Sequence, residues 1–536
     1  MAHPRRPAIV AVLVAVMGAL PAALTLSAQS PGLVARGEPA RFIDPDRVAK
    51  LSTAFGDIDR VFREYAAREH IPGAVWGIII DGRLAHVGVT GYRDVSARSP
   101  VDSGTVFRIA SMTKSFTAMA ILKLRDEGKL SLDDPAERWV PELKGLAYPT
   151  SDSPKITIRL LMSHATGFPE DNPWGDQQLA VTDEEMSRMM ERGIPFSNAP
   201  GVAYEYSNYG FAILGRIVTR AAGMPYREYI AANILRPLGM TSTTLEPASV
   251  PSARLAQGYR WEDEQWKLEP QLPDGAFGSM GGMLTSARDL GVYVASFLAA
   301  WPPRDGADTG PVRRASLREM QQVQRPRPAA IVRGAGGAPQ LSSGGYGFGL
   351  GVSGDCNFAH VVAHSGGLPG FGSLMRWLPE YGVGIIAFGN RTYTGWGGPT
   401  AEALALMKKT GALEPRVPQP SAVLTARREA VTRLVLRWDD KLADSLAAVN
   451  LFLDRSRERR RAELATFQTQ VGPCRAASGF DVVENALRGQ WTMPCERGAL
   501  RVSITLAPTM PPTVQYLDVV PAPSAERPAE RKLCAL

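Results

Sequence analysis

Between residues 51 and 69 the apolar positions Leu51, Phe55, Ile58, Phe62 and Tyr65 recur alternately four and three apart, the spacing of one helix face. The pattern then changes. Two apolar runs from Ala74 onward flank Asp81-Gly82, a tight-hairpin signal, and predict two antiparallel strands. A further helical run begins at Ser111 and ends near Gly128. Helical stretches broken by Pro and Gly follow, among them Tyr209 to Ala222 and Tyr226 to Leu235. Strand signals return only late, at Tyr346 to Val352, His360 to His364, Phe371 to Pro379 and Val383 to Phe388, with a closing helix over Ala401 to Thr410. Strands at both ends thus bracket a helical middle. An antiparallel sheet built from both chain ends, flanked by helices and carrying an inserted helical lobe, accounts for this order; the class is α+β.

The extended, Pro-rich stretch from Leu413 to Ser421 reads as a linker. It divides a main domain over 45–412 from a second module, with the linker drawn over 413–425. In that module Ala426 to Phe467 is helical by pattern, Leu500, Val502, Ile504 and Leu506 alternate like a half-buried strand, and Val514 to Val520 is placed to pair with it. A small α+β domain over 426–520 is expected, then a tail over 521–536. At the other end Arg5 and Arg6 precede an apolar run from Ala8 to Leu26, with small residues at Ser27 and Ala28. Residues 1–30 read as an export signal, either cleaved or kept as an anchor, so the protein is expected in the periplasm or outside the cell, with association to the envelope allowed. Export fits the four cysteines. Cys474 and Cys495, 21 residues apart in one segment, are the expected disulfide; Cys356 and Cys534 are left open.

Composition changes the picture little. At 536 residues the chain exceeds one ordinary core, and 45% apolar with 21% charged residues is globular. A net charge of +7 comes with no face of clustered basic and aromatic residues, so nucleic acid is not an expected partner. The dense basic run Arg455 to Arg461 reads as a solvated helix face. No metal-ligand spacing of His or Cys is present, and neither a metal nor another cofactor is called for.

Chemistry is concentrated in three short stretches. Ser111-Met-Thr-Lys114, at the head of the apolar helical run, puts a hydroxyl and an amine on one face a turn apart. Lysine can then take the serine's proton, and the free N–H groups at the helix start surround the nucleophile. Tyr206-Ser-Asn208 lies in a Gly/Pro-flanked loop ahead of a helix. An extended backbone there aims the phenol and the amide the same way, and a phenol near an ammonium could be depressed enough to act as base. His364-Ser365-Gly366-Gly367 follows an apolar strand, where glycines admit a substrate backbone. Alone, each of these has an ordinary structural explanation: a chance tetrapeptide, a buried aromatic beside a helix cap, a strand running into a Gly-rich turn.

Together, in this order, the three resemble the S-x-x-K, Y-x-N and [KH]-[ST]-G elements of the serine β-lactamase and penicillin-binding-protein superfamily, nearest its class C β-lactamase-like serine hydrolases. Leu160-Leu-Met-Ser-His-Ala-Thr-Gly, Gly278 to Leu290 and Gly389-Asn-Arg are also similar to that family, so the resemblance spans about residues 50 to 410. It implies the β-lactamase/transpeptidase-like fold and an acyl-enzyme route. Ser111 would be the nucleophile, Lys114 and Tyr206 would share the base and acid roles, and Asn208 would position lysine and substrate. The N–H groups of Ser111 and Gly367 would form the oxyanion hole. His364, Ser365, Gly366 and Gly367 would bind substrate. The partner it implies is a small-molecule or peptide substrate: a D-amino-acid peptide, a carboxylic ester or, less favoured, a β-lactam. A slow-acylating β-lactam sensor, or a non-catalytic penicillin-binding-like domain, is the alternative. The sequence sets no oligomeric state.

One departure stands out. Where β-lactamases of this branch usually carry Lys-Thr-Gly, this chain has His364-Ser-Gly. A histidine of ordinary pKa, about 6.5, would charge only as pH falls, so recognition of an anionic substrate is expected to improve toward about pH 6. A strand leading into Ser365 also suggests an α/β-hydrolase elbow, but that mechanism needs a later histidine, and His364 is the last of the six. His164 is expected to be structural.

Overall fold

The computed structural model describes residues 37–333 and 339–522. They divide into two compact units, residues 38–419 and residues 420–522 with Gly37. The expected export signal, Cys534 and all but the first two residues of the expected tail lie outside the described residues.

In the larger unit the first helical run is two helices, α1 (Arg47–Ser52) and α2 (Phe55–Arg68). Next come β1 (Gly73–Ile80), β2 (Arg83–Asp94) and the short β3 (Ser99–Pro100). The lobe that follows contains α3 (Thr113–Asp126), α4 (Asn208–Ala222) and α5 (Ala287–Leu298). The chain then returns through β4 (Arg325–Arg333), β5 (Pro339–Tyr346), β6 (Gly351–Gly354), β7 (Val361–Leu368), β8 (Phe371–Leu378) and β9 (Val383–Gly389), and closes with α6 (Gly397–Lys409). The nine strands form one sheet in the order β3-β2-β1-β9-β8-β7-β6-β5-β4. Its first and last segments therefore meet at the centre, where β1 pairs antiparallel with β9. This is the β-lactamase/transpeptidase-like α+β fold.

The β1–β2 turn has positive φ at both Asp81 and Gly82, as a type I′ hairpin requires. All eight residues of β1 are buried, because both sheet faces are covered. The period of two sorts them. Trp76, Ile78 and Ile80 pack with Ile58 and Phe62 of α2 and with Ala403 and Met407 of α6. Val75 and Ile79 join Tyr293, Val294 and Phe297 of α5. The run expected as one strand over Tyr346 to Val352 is instead the end of β5, a turn and the start of β6. Gly349 turns the chain at φ 68, and a Cβ there would sit 2.8 Å from the Lys114 carbonyl oxygen. Strand β4 and most of β5 were not legible; β4 is an exposed edge holding Pro326 and Pro328.

The smaller unit packs helices Ala422–Leu436, Asp440–Leu446, Leu451–Asp454 and Arg457–Val471 with an antiparallel four-stranded sheet. The stretch expected as one helix is interrupted because Asp439 and Ser456 cap new helix starts, accepting from the Leu442 and Arg459 N–H groups. Two boundaries shift: a helix begins at Ala422, inside the expected linker, and the last strand runs to Ala522. Strand Gly498–Leu506 buries Leu500, Val502, Ile504 and Leu506 beside Trp491. Cys474 and Cys495 form a disulfide. The basic run is knitted into ion pairs, with Arg455 and Arg459 on Glu463 and Arg457 on Asp444.

Candidate active site

Ser111 sits in the 3₁₀ turn Ala110–Met112, which leads without a break into α3. Ala110 before it is held at φ 49, a left-handed conformation that costs a residue with a Cβ about 1–2 kcal/mol. The turn is pinned from three sides. Ser373 Oγ of β8 donates to Ile109 O at 2.8 Å, Thr113 Oγ1 donates to Ala110 O at 2.7 Å, and Ile109 N–H donates to Met283 O at 3.0 Å. Gly366 on β7 must lack a Cβ, which would lie 2.1 Å from Ile109 O and 2.5 Å from Ser373 Oγ. Gly366→Ala is therefore expected to push back the backbone leading to Ser111. The expected cost is about 1–3 kcal/mol of stability, read as a lowered Tm, and about 10²-fold in kcat/KM from the displaced nucleophile. Unchanged kinetics would show that the turn is not set by this contact.

Helix α3 is buried from Thr113 through Leu122, and Lys114 with it is fully enclosed. The Lys114 Nζ lies 3.0 Å from Ser111 Oγ, 2.6 Å from Asn208 Oδ1 and 2.9 Å from Met280 O. Asn208 Oδ1 and Met280 O can only accept, so they take two amine hydrogens and leave the third position facing the serine hydroxyl. Burial lowers the lysine pKa to about 7, opposed by Asp176, Asp171 and Glu170. An amine that is free base near neutral pH can hold a lone pair toward Ser111.

Asn208 opens α4. Its N–H and that of Tyr209 donate to the Asp171 carboxylate at 2.7 and 2.8 Å, its Nδ2 donates to Asn172 Oδ1 at 2.7 Å, and Ser207 accepts from the Gly210 N–H. The helix start is thereby fixed, and the amide oxygen is left for lysine. The Lys114 Nζ stands 4.8 Å from the Tyr206 ring centre, and Tyr206 lines the site with Ser111. Burial, which outweighs the opposing effect of the Ser111 hydroxyl, pushes the phenol well above its ordinary pKa. The resident phenolate considered from sequence is thus disfavoured: Tyr206 is a neutral hydroxyl that can donate. His164 is buried with φ 53; its Nδ1 accepts the Ser207 N–H at 3.1 Å, and its ring lies 4.3 Å from that of Tyr206. It positions the Tyr206–Asn208 segment.

The third stretch is strand throughout, with no turn after His364: β7 pairs His364, Ser365, Gly366 and Gly367 with Met375, Leu374, Ser373 and Gly372. Ser365 is exposed, whereas His364 is buried. The His364 Nδ1 lies 2.6 Å from Ser365 O, an acceptor only, so this nitrogen carries the hydrogen; Nε2 then accepts from Tyr346 Oη at 2.8 Å. Burial, and secondarily Lys114, depress the imidazole pKa to about 3. The expected gain in anion recognition toward pH 6 does not follow, because this ring stays neutral there.

Ser111, Tyr206, His364, Ser365 and Gly367 line one cleft of about 580 Å³. Asn172, Asp176, Tyr204, Arg327, Tyr346 and Tyr393 line it too, and sequence reasoning missed all six. Asp176 is 3% exposed, and burial raises its carboxyl pKa. Met280 O belongs to the Gly278 to Leu290 stretch, but a carbonyl acceptor carries no side-chain signature. Among the described residues no group of three or more His, Cys, Asp or Glu side chains could hold a metal ion.

A serine and a buried lysine at the head of a central helix, against an antiparallel sheet that closes through both chain ends, define the class. The Beta-lactamase family model matches residues 58–407, and the chain belongs to that family. The chain is 30% identical over 341 residues to protein flp of Staphylococcus aureus (strain N315), covering 62% of either chain. It is 26% identical over 323 residues to penicillin-binding protein 4* of Bacillus subtilis (strain 168), covering 56% of this chain and 64% of that one. The chain thus spans about two thirds or less of each relative's length. The octameric penicillin-binding protein homologue from Pyrococcus abyssi shares the fold, with a TM-score of 0.56 at 23% identity over 87% of this chain and 90% of that one.

Proposed function

We propose that this chain is an exported serine hydrolase that cleaves an ester or amide through an acyl-Ser111 intermediate. The observation that carries the reading is the Lys114 amine, 3.0 Å from Ser111 Oγ with two further acceptors on its other hydrogens. Neutral Lys114 takes the serine proton as Oγ attacks the carbonyl carbon. The N–H groups of Ser111 and Gly367, two residues that line one cleft, stabilise the developing oxyanion. The Tyr206 hydroxyl relays a proton from Lys114 to the leaving group, and water releases the acyl chain. We favour a D-amino-acid peptide or carboxylic ester over a β-lactam, because His364, which stays neutral, stands where β-lactamases of this branch carry a lysine, and Arg327 is the cation that lines this cleft instead. Export rests on the N-terminal sequence alone.

Rapid mixing with p-nitrophenyl acetate tests this. The expected result is a burst of nitrophenol approaching one equivalent per chain, with an acetyl group on Ser111 by mass spectrometry of the quenched protein. Acetyl on another residue would overturn the assignment. A stable β-lactam adduct on Ser111, without turnover of any ester, would instead support the slow-acylating sensor.

A further inference from the structure

Tyr393 lies in the segment that joins β9 to α6, and its backbone is held at φ 53. A bulky residue rarely takes that left-handed conformation, and where it does its surroundings enforce it. Here the segment is pinned along its length. The Thr392 N–H donates to Tyr259 O at 2.8 Å, the Tyr393 N–H to Phe371 O at 3.2 Å, and Thr394 Oγ1 to Arg391 O at 2.9 Å. Gly372 lets β8 press against it, since a Cβ there would lie 2.2 Å from Thr394 O. The backbone under Tyr393 is a fixed mount. None of the catalytic steps above uses this residue.

The ring it carries bridges sheet and lobe. On the sheet side it packs against β7 at the assigned oxyanion donor: a Cβ at Gly367 would be 2.8 Å from its Cδ1. On the lobe side its Oη donates to Asp176 Oδ2 at 3.2 Å. Asp176 belongs to the 3₁₀ turn Gly175–Gln177, which packs on Asn208; a Cβ at Gly175 would be 2.6 Å from the Asn208 Cβ. Burial, and then the Asp176 carboxylate, push the phenol up to about 12, so it remains a donor across neutral pH. Tyr393 is 45% exposed and lines the cleft with Ser111, Gly367 and Asp176. The ring is a wall that a substrate meets, not part of the core.

We propose that Tyr393 sets the size limit of the site: its ring is a fixed wall beside the oxyanion donor and admits only carbonyl substrates that are compact on that side. The inference rests on the serine-hydrolase reading above and says which substrates of that class enter. A carbonyl oxygen must reach the Gly367 N–H, at a residue whose missing Cβ would already touch the ring. A bulky substituent on that side meets the ring before the carbonyl carbon reaches Ser111 Oγ. The backbone mount prevents the segment from giving way, and the phenol cannot swing aside without leaving Asp176. Asp176 thereby acts as the anchor that holds the ring in place. Excluding a substituent removes transition-state binding, so the limit is read in kcat/KM.

The test measures kcat/KM on the full chain for two ester series. p-Nitrophenyl acetate, butyrate and hexanoate lengthen the acyl side, while phenyl and 2-naphthyl acetate enlarge the leaving group. Tyr393→Gly removes the ring and suits the positive φ, so the variant is expected to fold; Tyr393→Phe keeps the ring and removes only the bond to Asp176. In at least one series Tyr393→Gly is expected to raise the large-to-small ratio about ten-fold over the parent, with Tyr393→Phe closer to the parent. A ratio cancels any common effect of the variant on the nucleophile, and the series that responds identifies the end the wall bounds. Ratios within two-fold of the parent in both series for Tyr393→Gly would overturn the proposal. So would equal gains in Tyr393→Phe and Tyr393→Gly, because the ring would then not be the obstacle. Loss of p-nitrophenyl acetate hydrolysis in Ser111→Ala checks the underlying reading separately: an enzyme that passes that check but shows no size effect refutes only the Tyr393 wall.

Discussion

Ser111→Ala is expected to lower kcat/KM for p-nitrophenyl acetate by about 10⁴-fold or more, leaving the residual acceleration of a site that binds and polarises but has no nucleophile. The loss should fall almost wholly in kcat, since Oγ forms its bond only during reaction. Folding should survive. The side chain is small and 8% exposed, and the Ala110–Met112 turn is held by Ser373, Thr113 and Met283, none of which bonds the Ser111 hydroxyl. A Tm within a few degrees of the parent, with the burst and the acyl adduct both gone, is the expected combination. Ester turnover at more than about a tenth of the parent rate would place the nucleophile elsewhere.

What could be read before the structure was chemistry that lies close in sequence. Ser111 and Lys114 are three residues apart at a helix start, so helical geometry alone brings Nζ to 3.0 Å from Oγ. Tyr206 and Asn208 are two apart in a loop, and their side chains do converge on Lys114. The cause is partly tertiary, since Asp171 anchors the helix start and His164 the residue before it. That strands from both chain ends share one antiparallel sheet was legible because the hydrophobic period changes from alternating to helical and back along the chain; the order of its nine strands was not.

The rest was written in contacts between distant segments. His364 reads as a titrating residue in sequence, yet its behaviour is set by Ser365 O, by the Tyr346 hydroxyl and by burial beside Lys114. The glycines after it suggested a turn; they instead let a strand approach Ile109 O and Tyr393 more closely than any side chain would allow. Asp176 and Tyr393 are 217 residues apart, and neither belongs to a motif. Only folding reveals a carboxylate enclosed with one oxygen unpaired.

Lys114→Met should remove about 10³-fold from kcat/KM, within the range for a positioned general base, and should also erase the pH dependence that the lysine imposes. In the parent enzyme burial lowers the Lys114 pKa to about 7, and only the free base can accept the Ser111 proton. Activity toward an uncharged ester must therefore rise as pH increases through about 7 and level off above it, as the fraction of free base does. The groups that could distort this rise are few: Tyr206 stays protonated, His164 and His364 stay neutral, and ionisation of Asp176 at lower pH holds the proton on lysine more firmly. Methionine fills nearly the same volume without a charge. Stability is then expected to change little, because relief from enclosing an ammonium offsets the acceptors left open on Asn208 and Met280. A kcat/KM profile that keeps the same rise near pH 7 in Lys114→Met would assign the proton transfer to a group other than Lys114.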